Sequence, residues 1–145
     1  MADRLERAAL NRLIETNRDG ERGFRLAAAH IENAALKRLF TELAEQRATF
    51  ATELLPHAQR LGGADAGDGT AVGALHRAWI ALEGRFLPDT AVTRSVERGD
   101  EATMRIYLDA LNGMLPPQSR ELIERQFEEL EEAHLRIPVR EGFPA

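Results

Sequence analysis

A long stretch near the start of the chain, from Asn11 to Ile31, carries apolar residues at helical spacing with one carboxylate among them. At about 100° per residue, the residues that share one face are Leu10, Leu13, Ile14, Phe24 and Ala28. Glu21 falls on the same face. A carboxylate that faces a core must be neutralised, hydrogen-bonded or bound to a metal ion. The stretch therefore predicts a long amphipathic helix with an inward carboxylate. Gly20 and Gly23 flank it, which predicts a close approach by another part of the chain.

Helical periodicity continues almost to the end of the chain, whereas alternating strand patterns are nearly absent. We expect the first helix over about Asp3–Ala29. Four more are predicted over about Ala34–Leu61, Thr70–Leu87, Thr90–Asn112 and Pro117–Ile137. Asn33 is a suitable N-cap for the second helix, and Pro117 suits a first turn.

The relative lengths of these helices predict the architecture. Four of them are longer than about 20 residues, or about 30 Å, and the short one, Thr70–Leu87, stands in the middle. This order is typical of a four-helix bundle in which one long crossover joins two hairpins and here carries a short extra helix. A five-helix up-and-down array is the alternative. We expect one domain over residues 1–138 and a flexible tail over residues 139–145.

Composition excludes several classes of protein. The net charge is −5 with no run of basic residues, so neither nucleic acid nor an anionic membrane is an expected partner. No apolar run is long enough to span a bilayer, and Met1–Glu6 is too polar for a secretory signal, so we expect a cytoplasmic protein. The chain has no cysteine, so a disulfide, an iron–sulfur cluster or a thiolate nucleophile is impossible. A homodimer is compatible with the sequence. No hydrolase triad or phosphate-binding loop is present.

Several segments together carry a resemblance to a known family. They are LIETNRDGERGF (Leu13–Phe24), LKRLF (Leu36–Phe40), ATELL (Ala51–Leu55), RLGG (Arg60–Gly63), GALHRAW (Gly73–Trp79), ERGDEA (Glu97–Ala102) with Tyr107, and ERQ (Glu124–Gln126) with His134. The chain resembles the four-helix-bundle family named domain of unknown function 2383, which is placed in the ferritin-like superfamily. The resemblance implies an all-α, ferritin-like bundle and no established activity.

The ferritin-like resemblance also implies inward metal ligands. Such bundles hold two ions with a glutamate from each of two helices and Glu-x-x-His from each of the other two. The candidate ligands in this chain are Glu21, Glu97, Asp100, Glu131 and His134, of which the last two form Glu-x-x-His. Carboxylate and imidazole suit iron or manganese. The second helix has no Glu-x-x-His, which weakens the match. Gln126 also points inward.

The same residues also allow a hypothesis without a metal ion. In this alternative Glu21 pairs with Arg47, which also faces the core, and the chain is a non-enzymatic bundle that acts in assembly or partner binding. His134 would then be a hydrogen-bonded core histidine. On the short helix, His76 and Trp79 are expected to anchor that helix to the bundle. Both hypotheses, metal binding and assembly, stay open at this point.

Overall fold

The computed structural model describes residues 2–62 and 87–138. Within these residues it contains four α-helices and no strand: α1 (Ala2–His30), α2 (Ala34–Arg60), α3 (Asp89–Leu111) and α4 (Pro117–His134). The predicted all-α class is confirmed, and the four long helices begin and end close to the expected residues. The predicted short helix, apart from Leu87, and the predicted tail lie outside the described residues. None of the four helices carries an apolar run of the length that a bilayer requires.

Local chemistry explains where these helices begin and end. The side chain of Asn33 accepts a hydrogen bond from the backbone N–H of Leu36 at 3.0 Å, which confirms the predicted N-cap of α2. Past the other end of α2, Gly62 has a φ of 77°, a left-handed conformation that glycine adopts without strain. Pro117 lies in the first turn of α4, where its missing N–H costs nothing.

Contacts at the helix ends establish the topology. The carboxylate of Asp89, the first residue of α3, accepts hydrogen bonds from the backbone N–H groups of Glu32 and Asn33, both at 2.9 Å. Helix α3 therefore starts beside the α1–α2 connection and runs parallel to α2. Gly62, just past the end of α2, and Asp89, at the start of α3, therefore lie at opposite ends of the bundle.

The four helices close into a bundle. Helix α1 packs against α2 and α3, and α4 packs against α3 and α2. At the turn between α3 and α4, the guanidinium of Arg120 donates to the backbone carbonyls of Leu111 and Gly113, both at 2.8 Å. The two hairpins are therefore antiparallel pairs, as the crossover topology requires.

The apolar core is divided into two clusters along the bundle axis. One lies toward the α1–α2 connection and includes Phe24, Ile31, Phe40, Val96 and Ile137. The other lies toward the opposite end and includes Leu13, Phe50, Leu54, Ile106 and Ile123. Between them is a group of buried polar side chains that we call the polar layer: Asn17, Arg47, Asp100 and Thr103. Because burying polar groups in a core is costly unless they are hydrogen-bonded, the contacts of this layer affect the stability of the bundle.

Candidate metal centre

Arg47 is the largest side chain of the polar layer and is only 1% exposed. Its Nη2 donates to Oδ1 of Asp100, and its Nη1 donates to the hydroxyl of Thr103 at 3.2 Å. The guanidinium also lies 5.3 Å from the centre of the Phe24 ring, within cation–π range. Burial lowers the pKa of Arg47 to about 10, and the nearby Tyr107 opposes this shift. The guanidinium is therefore charged at neutral pH, and Asp100 balances its charge.

Gly20 on α1 makes room for this guanidinium. A Cβ atom added at Gly20 would lie 2.7 Å from Nη1 of Arg47, closer than side chains pack. The close approach predicted at Gly20 is confirmed, and its partner is a cationic side chain. A cavity of about 10 Å³ lies beside Arg47 and Gly20, and it has room for about one water molecule.

Gly20→Ala sets two effects of opposite sign against each other. Helix propensity alone would stabilise the alanine variant by about 1 kcal/mol. Overpacking in a core typically costs about 1–3 kcal/mol, and the ion pair with Asp100 prevents Arg47 from moving aside. We expect the steric effect to prevail, so that the free energy of unfolding, measured by urea denaturation, falls. Gly113→Ala is the control, because a Cβ atom added there would lie 3.5 Å from its nearest neighbour, the carbonyl oxygen of Ala110. A more stable Gly20→Ala protein would contradict the described packing.

Asp100 connects Arg47 to a histidine on α4. The Asp100 side chain is 3% exposed, and its Oδ2 lies 2.7 Å from Nδ1 of His134. Because this ionised carboxylate can only accept, Nδ1 of a neutral His134 carries the proton and Nε2 keeps its lone pair. The His134 side chain is 22% exposed, so the imidazole reaches from the buried polar layer toward the surface.

Two carboxylates of α3 lie beside this histidine. One ligand atom from each of Glu97, Glu101 and His134 lies within 4.8 Å of the others. Glu97 and Glu101 are four residues apart, which places them on one face of α3. Glu97 is half-buried and Glu101 is exposed. First-row transition-metal ions accept two carboxylates and one imidazole as ligands. Three protein ligands are enough for a metal site in which another coordination position stays open to water or a substrate.

The structure brings together some of the predicted ligands and not others. Glu97 and His134 lie in the group, and Asp100 is adjacent to it. However, the two oxygens of Asp100 are bonded to Arg47 and His134, so Asp100 is placed to orient the histidine. Glu101 was missed in the sequence, although its four-residue spacing from Glu97 is a signal for a shared helical face.

Two predicted ligands lie elsewhere. Glu21 is half-buried, and its carboxylate forms an ion pair with Arg25 at 2.9 Å, one turn along α1. The predicted Glu21–Arg47 pair is wrong, because the carboxylate that Arg47 meets among the described residues is Asp100. Glu131 is exposed on α4 and is not part of the group with His134. The buried polar side chains among the described residues of α1 are Thr16, Asn17 and Asp19, and of these Asn17 belongs to the polar layer.

A chain of hydrogen bonds extends the polar layer across the bundle. The Asn17 amide donates to the Tyr107 hydroxyl at 2.8 Å, and Tyr107 donates to Oε1 of Gln126 at 2.7 Å. Gln126 in turn donates to Oε1 of Glu53 at 3.0 Å, which confirms that it points inward. Each of the four helices supplies one residue to this series of hydrogen bonds. Burial raises the pKa of Tyr107, while its hydrogen bond with Asn17 and the charge of Arg47 act in the opposite direction, so the phenol is neutral and can donate.

Comparison with known proteins assigns the chain to a family. The model of the domain of unknown function DUF2383 matches residues 6–113, about three quarters of the chain. No curated protein matches it. The matched region contains Arg47, Glu97, Asp100 and Glu101, whereas α4 with His134 lies beyond it. The match covers most of α1, all of α2 and α3, and the ion pair of Arg47 and Asp100 that joins α2 to α3. The chain therefore belongs to the DUF2383 family.

Proposed function

We propose that this protein binds one divalent transition-metal ion, such as Fe(II) or Mn(II), through Glu97, Glu101 and His134. The observation that supports the proposal is the convergence of three ligand atoms within 4.8 Å of one another, one of them on a histidine that a buried carboxylate orients. The ligands come from two helices, α3 and α4, so an ion bound here would also join these helices.

The contact between Asp100 and His134 is what distinguishes this group from an ordinary acidic surface. Histidines that bind metals usually donate their second N–H to a carboxylate or a carbonyl, which fixes the tautomer and raises the basicity of the ligating nitrogen. Asp100 is in the position to do this, and its ion pair with Arg47 prevents it from turning away. The arrangement supports a ligand role for Nε2 of His134.

The position of Arg47 supports a single ion and argues against two ions inside the bundle. The guanidinium occupies the interior beside Asp100, and its positive charge would repel a second cation there. Within residues 2–62 and 87–138, the charge of Arg47 argues against the dinuclear centre that the resemblance implied. In the proposed site the ion lies at the edge of the bundle, where Glu101 is exposed and water completes the coordination.

Titration with Mn(II), followed by electron paramagnetic resonance of the free ion, tests this proposal. We expect wild type to bind about one ion per chain. His134→Gln, Glu97→Gln and Glu101→Gln should each weaken binding by roughly tenfold or more, because each removes one of three protein ligands. Glu21→Gln and Glu131→Gln are matched controls, since they remove one carboxylate outside the group. Equal affinities for wild type and His134→Gln would refute the site.

A second candidate function is a metal-free bundle that acts in assembly or partner binding. The observation that favours it is the Arg47–Asp100 ion pair, which satisfies both charges without an ion. The two functions differ in their response to metal. An ion that binds only the folded chain raises its melting temperature by mass action. An unchanged melting temperature at saturating Mn(II) and Fe(II) would favour the metal-free function.

A further inference from the structure

A surface groove lies between α1 and α3, on the end of the bundle away from the α1–α2 connection. It encloses a volume of about 210 Å³, and the residues that line it are Ala8, Ala9, Arg12, Ile106, Asp109 and Ala110. The three alanines leave this space because their side chains end at Cβ. The lining is mostly apolar, so the groove fits a large aliphatic side chain better than a polar ligand.

An exposed leucine lies beside this groove on the same helix. Leu5 is 60% exposed, and it stands one turn before Ala8 and Ala9 on the same face of α1. The exposed Leu5 side chain and the apolar groove are therefore neighbours on one surface. Such a surface is self-complementary, because a two-fold axis can bring Leu5 of each copy to the groove of the other.

We propose that this groove is the interface of a two-fold homodimer. The α1 helices of two copies cross in antiparallel orientation at Ala8 and Ala9, where small side chains permit a close approach. Leu5 and Arg12 are equally far along α1 from this crossing point. Leu5 of one copy therefore lies level with Arg12 of the other, and it enters the groove beside Ala110.

Charge supports a second copy as the occupant. The chain has a net charge of −5, so two copies repel each other overall. The groove instead carries one positive side chain, Arg12, and one negative side chain, Asp109. The charges of Arg12 and Asp109 cancel, so the grooves of two copies do not repel each other. Each groove also offers a charge of either sign to the other copy. This proposal is independent of the metal site, which involves the opposite face of α3.

Light scattering coupled to size-exclusion chromatography tests the interface with matched leucine variants. We expect wild type to be a dimer and Leu5→Arg to be a monomer, because the positive charge would have to enter an apolar groove level with Arg12 of the other copy. Leu135→Arg is the control, since Leu135 is 85% exposed and lies at the end of α4. A monomeric wild type at every concentration, or a Leu5→Arg protein that stays dimeric, would overturn the proposal.

Cysteine cross-linking tests the crossing point directly, because the chain has no cysteine of its own. Ala8→Cys should form an intermolecular disulfide under mild oxidation, since the proposed axis brings the two positions together. Thr52→Cys, at an exposed position of α2, is the control and should stay reduced. Cross-linking of Thr52→Cys without cross-linking of Ala8→Cys would place the contact elsewhere and contradict the proposal.

Discussion

Asp100→Ala is expected to lower the free energy of unfolding by about 3–5 kcal/mol, because it leaves the charge of Arg47 buried without a partner. Arg47 is 1% exposed, and its carboxylate partner among the described residues is Asp100. Urea denaturation measures the change. Glu131→Ala, which removes an exposed carboxylate from α4, should change stability by less than about 0.5 kcal/mol.

A double variant separates the cost of a stranded charge from the value of the ion pair. Replacing both members with apolar residues, Arg47→Met with Asp100→Leu, removes the buried charges together. Such replacements are often neutral or stabilising in proteins. We therefore expect the double variant to recover most of the stability that Asp100→Ala loses. An Asp100→Ala protein that is as stable as Glu131→Ala would show that Arg47 is not buried as described.

Tyr107→Ala is expected to lower the free energy of unfolding by about 3–5 kcal/mol, the range for removing a large aromatic side chain from a core. Tyr107 is fully buried, and it stacks on Phe127 with ring centres 6.5 Å apart. Urea denaturation measures the change. The matched control is Leu108→Ala, the next residue of α3, whose side chain is 45% exposed and should matter much less.

Tyr107→Phe isolates the hydroxyl of the same residue. It keeps the ring but leaves the Asn17 amide and Oε1 of Gln126 without their shared partner. Leaving buried polar groups unpaired costs about 1–3 kcal/mol. A Tyr107→Phe protein as stable as wild type would mean that water or another side chain satisfies both groups, and that the hydrogen-bond chain contributes little.

The helices were predictable from the sequence because periodicity and capping are local. Leu10, Leu13 and Phe24 mark the buried face of α1 without reference to any other helix, and Asn33 caps α2 through its own side chain. Gly20 could also be identified, since a glycine in a helix needs a reason. The crossover topology was predictable from the relative lengths of the helices, because the short predicted helix stands between two pairs of long ones.

The pairing of side chains between helices could not be predicted. Arg47 meets Asp100 only because α2 and α3 run parallel at one relative height, and the sequence does not specify that height. The position of Glu21 within the apolar arc suggested an inward carboxylate. However, its long side chain can reach Arg25 on the helix surface, while the shorter Asn17 bonds inside the bundle. Helical angle alone does not distinguish these outcomes.

The polar layer gives the bundle a way to select one register. Hydrogen bonds are more directional than apolar contacts, and those of Arg47 with Asp100 and of Asn17 with Tyr107 form in one alignment of the helices. We infer that the layer aligns α3 with both α1 and α2. Asp100 of the layer also contacts His134 on α4, beside Glu97 and Glu101.

Anomalous diffraction from crystals soaked in Mn(II) is the most direct test of the central claim, that the buried pair of Arg47 and Asp100 presents His134 to a metal ion. We predict one anomalous peak per chain, within bonding distance of His134 Nε2, Glu97 and Glu101. A peak inside the bundle at Arg47, or no peak at this group in a crystal of the folded protein, would contradict it.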